Sequence, residues 1–243
     1  MPHISYSELK TWAECAWRHK LQYIDGLEPF YGNEFTTFGT ALHAVSEKFL
    51  IDKTAKNPEK YFETQFLKEL KELKDKDTEL ILDSDLIQKM RSQGTTLAPQ
   101  IIPSLKEYFG DYEVVSVEEK LYEPIDKDAR NFKGFIDVVV KKNDIYHIID
   151  WKSCSWGWKQ DKKRDQLITY QLTLYKSFFA KKHNIDPKNM KTEFGLLKRT
   201  AKKTENALNL MNKALYNISN KRFVKNKLSC KYCPFDGTKH CTK

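Results

Sequence analysis

Gly134-Phe135-Ile136-Asp137-Val138-Val139-Val140, then the polar link Lys141-Lys142-Asn143-Asp144, then Ile145-Tyr146-His147-Ile148-Ile149-Asp150-Trp151-Lys152: this stretch decides how the chain folds. Both apolar runs are rich in β-branched and aromatic residues, and so short a link between them reads as a hairpin of two strands. In Asp150-x-Lys152 the period of two sends both polar side chains to one side, with Ile149 and Trp151 facing the other. Asp137 ends its own apolar run on the neighbouring strand and can share that site. Two carboxylates that close repel unless a cation sits between them, and Mg²⁺ or Mn²⁺ is the oxygen-seeking ion suited to it. Lys152 then stands beside the ion as a fixed positive charge, able to act on a water or a phosphate.

Outward from the hairpin, Glu113 to Leu121 reads as a preceding strand, and Glu119 or its neighbour Glu118 can add a carboxylate. Met190 to Leu197 reads as a later strand, reached through a helix from Asp161 to about His183. Upstream the apolar period becomes helical. Ser5-x-x-Glu8 has capping-box spacing and starts a helix that carries Cys15; a second helix from Thr37 to Thr54 places His43 and Glu47 on one side. Tyr61 to Leu80 is a third, Asp85 to Tyr108 holds one or two more with a break before Pro103, and Leu208 to Ile218 closes the series. His43 can offer an imidazole nitrogen to the same ion, the alternative for an isolated histidine on an amphipathic helix being a hydrogen-bonded place at the core edge.

The 243 residues suit one domain, with 1–110 mainly helical, 111–220 as the sheet-bearing core and 221–243 as a tail. A formal charge of +9, from 42 Lys plus Arg against 33 Asp plus Glu, favours a polyanionic partner. Between Trp151 and Arg164, three tryptophans (Trp151, Trp156, Trp158) alternate with Lys152, Lys159, Lys162 and Lys163, the pairing of stacking surface and cation that a single strand needs. No apolar run approaches the roughly 20 residues that span a bilayer, and the N-terminus has no secretory pattern, so the expectation is a cytoplasmic protein with no membrane partner. Five cysteines in a reducing compartment point to ligation rather than disulfides. Cys230-x-x-Cys233, Cys241 and distant Cys15 supply four thiolates, the number for a tetrahedral Zn²⁺ or a [4Fe-4S] cluster; His240 is an alternative zinc ligand, and Cys154 is given no role.

In this order the residues resemble the PD-(D/E)xK nuclease superfamily, and within it the RecB-like exonucleases and the CRISPR-associated iron-sulfur exonucleases. Gly39-Thr40-Ala41-Leu42-His43 is similar to the glycine-to-histidine motif, Glu119 to the acidic residue before the hairpin, and Gly134 to Asp137 to the motif of the central aspartate. Asp150-Trp151-Lys152 is similar to the signature itself, and Gln166-x-x-x-Tyr170 to the helix motif after it. The resemblance implies an α/β fold with a restriction-endonuclease-like mixed sheet flanked by helices, an N-terminal helical region and a cysteine-ligated tail packed on the Cys15 helix. It also implies one or two Mg²⁺ or Mn²⁺ ions held by His43, Asp137, Asp150 and the Trp151 carbonyl, with Lys152 catalytic and Gln166 and Tyr170 positioning it and the DNA backbone. Cys15, Cys230, Cys233 and Cys241 would hold the [4Fe-4S] cluster. The implied activity is hydrolysis of DNA from a free, single-stranded end, the helices between Lys56 and Tyr108 arching over the site. A restriction-like or structure-selective endonuclease and a non-catalytic nucleic-acid-binding module are the alternatives.

Overall fold

A computed structural model describes residues 2–28, 30–153, 158, 161, 164–195, 197–199 and 204–241. The hairpin forms as read: β3 (Asn131–Lys142) and β4 (Ile145–Asp150) pair antiparallel, and Asn143 and Asp144 between them both have positive φ, 46° and 59°. Two left-handed residues give the turn whose twist matches the strands, which is why Asn-Asp works there. β2 (Glu113–Pro124) runs antiparallel along the other edge of β3, and β1 (His3–Ser5) joins its first residues in parallel. The helix α7 (Gln166–His183) crosses over to β5 (Met190–Phe194), parallel to β4, and β6 (Leu197–Arg199) completes the sheet. The mixed sheet, in the order β1-β3-β4-β5-β6 with β2 also on β3, accords with the expected fold.

Helices cover both faces. α1 (Tyr6–Glu14), α7 and α8 (Thr204–Ser219) bury Leu9, Leu172, Phe179 and Leu215 against one; α3 (Glu34–Ile51) and α6 (Ile101–Phe109) bury Leu50, Leu105 and Phe109 against the other. α2 (Ala16–His19) follows α1 after Cys15. α4 (Pro58–Lys76) and α5 (Ser84–Leu97) pack on α3 in a separate cluster around Phe38, Phe62 and Phe66. The helix breaks before Pro103, as expected, at Ala98–Gln100; Pro103 itself sits in the first turn of α6, where a missing N–H leaves no intrahelical bond unmade.

Besides a register shift between Val114 and Ser116 on β2, strict alternation fails beside Asp137. On β3, Phe132 and Ile136 pack toward α7, as does Val139, whereas Val138 and Val140 pack toward α3 and α6, so the faces exchange at Asp137. On β2, Val117 packs on the α3 side and Leu121 on the α7 side. That exchange falls at Glu118, directly opposite Asp137 in the register, and Glu118 takes a φ of 49°. A left-handed non-glycine residue is uncommon in a strand and re-aims its side chain.

Candidate metal and nuclease site

Asp137 lies where β4 parts from β3. Val138 still pairs with Ile149, but the next amide, Trp151 N–H, donates to Asp137 Oδ2 at 2.6 Å instead of to backbone. His43 arrives from α3, where Gly39 lets the post-strand segment come close: a Cβ there would meet Ser153 Oγ at 3.2 Å. The His43 Nε2–H donates to the Trp151 carbonyl at 3.0 Å. Since a carbonyl only accepts, the proton on Nε2 is fixed, and Nδ1, 3.5 Å from Asp137 Oδ2, is the nitrogen turned to the carboxylates. His43, Glu118 and Asp137 each offer one ligand atom within 4.8 Å of the others, the one such group among the described residues.

Asp150 stands beside this group, fully buried. Its Oδ2 lies 2.7 Å from Lys152 Nζ, and its Oδ1 accepts from Gln171 Nε2 at 2.8 Å. Burial pushes the Asp150 carboxyl up to about 7, against the pull of the Lys152 charge and helped by that of Asp137. Glu118 is likewise raised, by burial and then by the Asp137 charge. Burial draws His43 down, but its hydrogen bond to Asp137 and the charges of Asp137 and Asp150 outweigh that and hold it above its ordinary value. Carboxylates that retain protons when crowded are what a divalent cation would relieve, and two carboxylates with one imidazole fit Mn²⁺ or Mg²⁺.

Three expected residues are placed elsewhere. Glu119 faces α7 and forms ion pairs with Lys182 at 2.8 Å and His183 at 2.5 Å; Glu118 takes the position by the metal group, because alternation reverses between them. Gln166 opens α7 and accepts from the Tyr170 hydroxyl at 3.4 Å. One and a half turns on, the same spacing recurs in Gln171-x-x-x-Tyr175, and it is Gln171 that reaches Asp150 while also bonding the Tyr175 hydroxyl at 3.3 Å. Gly134 admits that ring, since a Cβ there would lie 2.7 Å from Tyr175 Cε1. The Trp151 carbonyl, expected as a ligand, is engaged by His43. Of the expected stacking residues, Trp158 lies against Phe194, ring centroids 4.9 Å apart, at the core edge; Trp156, Lys159, Lys162, Lys163 and Cys154 lie outside the described residues.

At the opposite end of α1, Cys15, Cys230, Cys233 and Cys241 all line one cavity of about 720 Å³. Cys15 Sγ accepts from two backbone amides, those of Arg18 and Asn226, both at 3.5 Å. Trp17 ties the tail down, its Nε1–H donating to the His240 carbonyl at 3.1 Å, and Leu21 and Phe235 fill the space below. The His240 side chain is exposed and outside the cavity lining.

No curated protein matches the chain significantly. Among solved structures, the crystal structure of SSO0001 aligns with 81% of this chain and 92% of its own at 16% identity, with a TM-score of 0.35. A family model described as the PD-(D/E)XK nuclease superfamily matches residues 3–238, spanning His43 and the β2–β4 sheet core and ending before Cys241, and the chain belongs to that superfamily.

Proposed function

We propose that the protein is a divalent-metal-dependent deoxyribonuclease of the RecB-like, iron-sulfur branch, which degrades DNA from a free single-stranded end. Superfamily membership implies metal-dependent hydrolysis of nucleic acid with ions such as Mg²⁺ or Mn²⁺. The observation that carries the finer reading is a cavity of about 650 Å³ walled by His43, Trp151 and Lys152 on one side and by α5 and α6 on the other. A substrate entering there meets helices overhead, so a thin, frayed end is accommodated better than a continuous duplex.

His43, Glu118 and Asp137 would hold the cation, with Asp150 adjacent, and the ion supplies Lewis-acid stabilisation of charge building on the phosphate. Lys152 brings a second positive charge to the same mouth. Gln171 holds Asp150 in place, and the Trp151 carbonyl fixes the His43 tautomer; such outer partners tune a ligand's basicity and orientation.

At the cysteine cavity, Cys15, Cys230, Cys233 and Cys241 bring four sulfurs to one space of about 720 Å³. Four thiolates are the number that a [4Fe-4S] cluster or a tetrahedral Zn²⁺ takes, and the resemblance to the iron-sulfur branch, with one cysteine on the early helix and three near the C-terminus, favours the cluster. Four free cysteines among the described residues suit a reducing, cytoplasmic setting.

The test is linear against circular single-stranded DNA of one sequence, with Mn²⁺ or EDTA. Loss of the linear form alone is expected. Nicking of the circle at an equal rate would establish an endonuclease, and metal-independent binding without cleavage a non-catalytic module.

A further inference from the structure

The wall of the cavity that faces the metal group is chemically one-sided. Among the described residues lining the cavity, His43 and Lys152 alone are ionisable, although the chain carries 42 Lys and Arg. The α5–α6 wall instead presents Gln93, Thr96, Gln100 and Ser104, a face continued through the turn at Ala98–Gln100. Half of its six side-chain donors are spent inward. Thr96 Oγ1–H donates to the Ser92 carbonyl at 3.0 Å, Ser104 Oγ–H to the Ile101 carbonyl at 2.8 Å, and the Gln100 amide to the Thr96 carbonyl at 3.1 Å. What remains for a ligand is a row of oxygen acceptors, with the Gln93 amide and the second N–H of Gln100 among them, above apolar Leu42, Leu97 and Ile101.

A phosphate is itself acceptor-only: it finds no cation on this wall and would leave the wall's oxygens without donors. A nucleobase matches both kinds of group: N–H donors and carbonyl acceptors on its pairing edge, and a flat apolar face for the leucines. The volume lies within the range of pockets that enclose small ligands, about 300–1,000 Å³. Resting on the nuclease reading above, we infer that this cavity is a nucleobase pocket. One unpaired base beside the scissile phosphate offers its pairing-edge N–H groups to Thr96, Gln100 and Ser104 while its phosphate stays at Lys152. Since a base in a duplex has those N–H groups engaged, the pocket itself selects unpaired DNA.

The experiment scans one altered residue through a single-stranded thymidine oligonucleotide, using the full chain with Mn²⁺. The altered residue is either abasic or N3-methylthymine, which keeps the ring and removes its one N–H donor. At one position relative to the cleaved bond, both should slow hydrolysis about tenfold. Thr96→Val and Gln100→Leu, at exposed positions outside the metal group, should slow natural thymine by a similar factor and erase its advantage over N3-methylthymine. Equal rates for all three oligonucleotides at every position would overturn the inference, as would variants that slow all three alike. If none is hydrolysed, the nuclease reading fails, and fluorescence anisotropy with the same oligonucleotides judges the pocket: weaker binding of the altered strands supports it, and equal binding overturns it.

Discussion

Exchanging carboxylate for amide at Glu118 and at Glu119 should give effects of opposite sign. The Glu118 and Asp137 ligand atoms lie within 4.8 Å. At that separation two like charges repel by about 0.9 kcal/mol in water and about 3.5 kcal/mol at an effective dielectric of about 20. With half-exposure screening the pair toward the lower figure, Glu118→Gln should stabilise the metal-free protein by about 1 kcal/mol, raising Tm by about 2–4 °C. Glu119→Gln removes two ion pairs on a carboxylate with 9% of its side chain exposed. It should cost about 1–2 kcal/mol and lower Tm by about 3–6 °C. The pH dependence separates the causes. The raised Glu118 pKa means the folded chain holds that proton more tightly than the unfolded one, so metal-free wild type loses stability as pH rises through the folded value, and the benefit of Glu118→Gln appears only above it. For Glu119, burial works against ionisation, but Lys182 and His183 hold its pKa below normal, so its contribution is complete above the unfolded value of about 4.5 and fades as pH falls through the folded one. Mn²⁺ gives the second readout. At a hundred times Kd it should add about 2.7 kcal/mol to wild type and to Glu119→Gln, and about 0.4 kcal/mol to Glu118→Gln if losing the ligand weakens binding a hundredfold. Thermal melts at pH 4 and 7.5, with and without Mn²⁺, measure all of this. If Glu119→Gln suppressed the Mn²⁺ increment while Glu118→Gln kept it, the assignment of faces at Glu118 and Glu119 would be wrong.

Gln171→Ala should reduce kcat by about 10–100-fold, as loss of a ligand-orienting partner does, while Gln166→Ala stays within about threefold; steady-state kinetics with Mn²⁺ decide between the two motif registers. Gly94→Ala should destabilise by about 1–3 kcal/mol, because the new methyl would lie 1.9 Å from Phe62 Cζ in the α4–α5 packing; urea unfolding reads this, and an unchanged midpoint would contradict the close approach. In anaerobically purified protein Cys230→Ser should abolish visible absorption and lower the iron and sulfide content together, whereas stoichiometric zinc in wild type would replace the cluster assignment.

The sheet core was legible because its strands are short apolar runs with clear turn chemistry between them, and Asp137, Asp150, Lys152 and His43 could be read from where those runs end. Glu118 was not separable from Glu119. Counting in twos forward from Val117 and back from Leu121 gives opposite answers, and only the positive φ at Glu118 decides which count holds. Gln171 was hidden by a duplicate: two Gln-x-x-x-Tyr spacings lie on α7, and the choice depends on how far the helix slides along the sheet, a tertiary fact that no local pattern encodes. The cavity wall was invisible for a related reason, since Thr96, Gln100 and Ser104 are ordinary polar residues until α5 and α6 are folded over the strand ends.

The central claim is a metal-dependent nuclease centred on Asp137, Asp150 and Lys152. Its most direct measurement is a time course of 5′-labelled and 3′-labelled single-stranded and duplex DNA with anaerobically purified protein, comparing Mn²⁺ with EDTA and wild type with Lys152→Ala. The account predicts metal-dependent shortening from an end of the single strand that disappears with EDTA and in the variant. DNA left intact by protein that binds Mn²⁺, or degradation that survives Lys152→Ala unchanged, would contradict it.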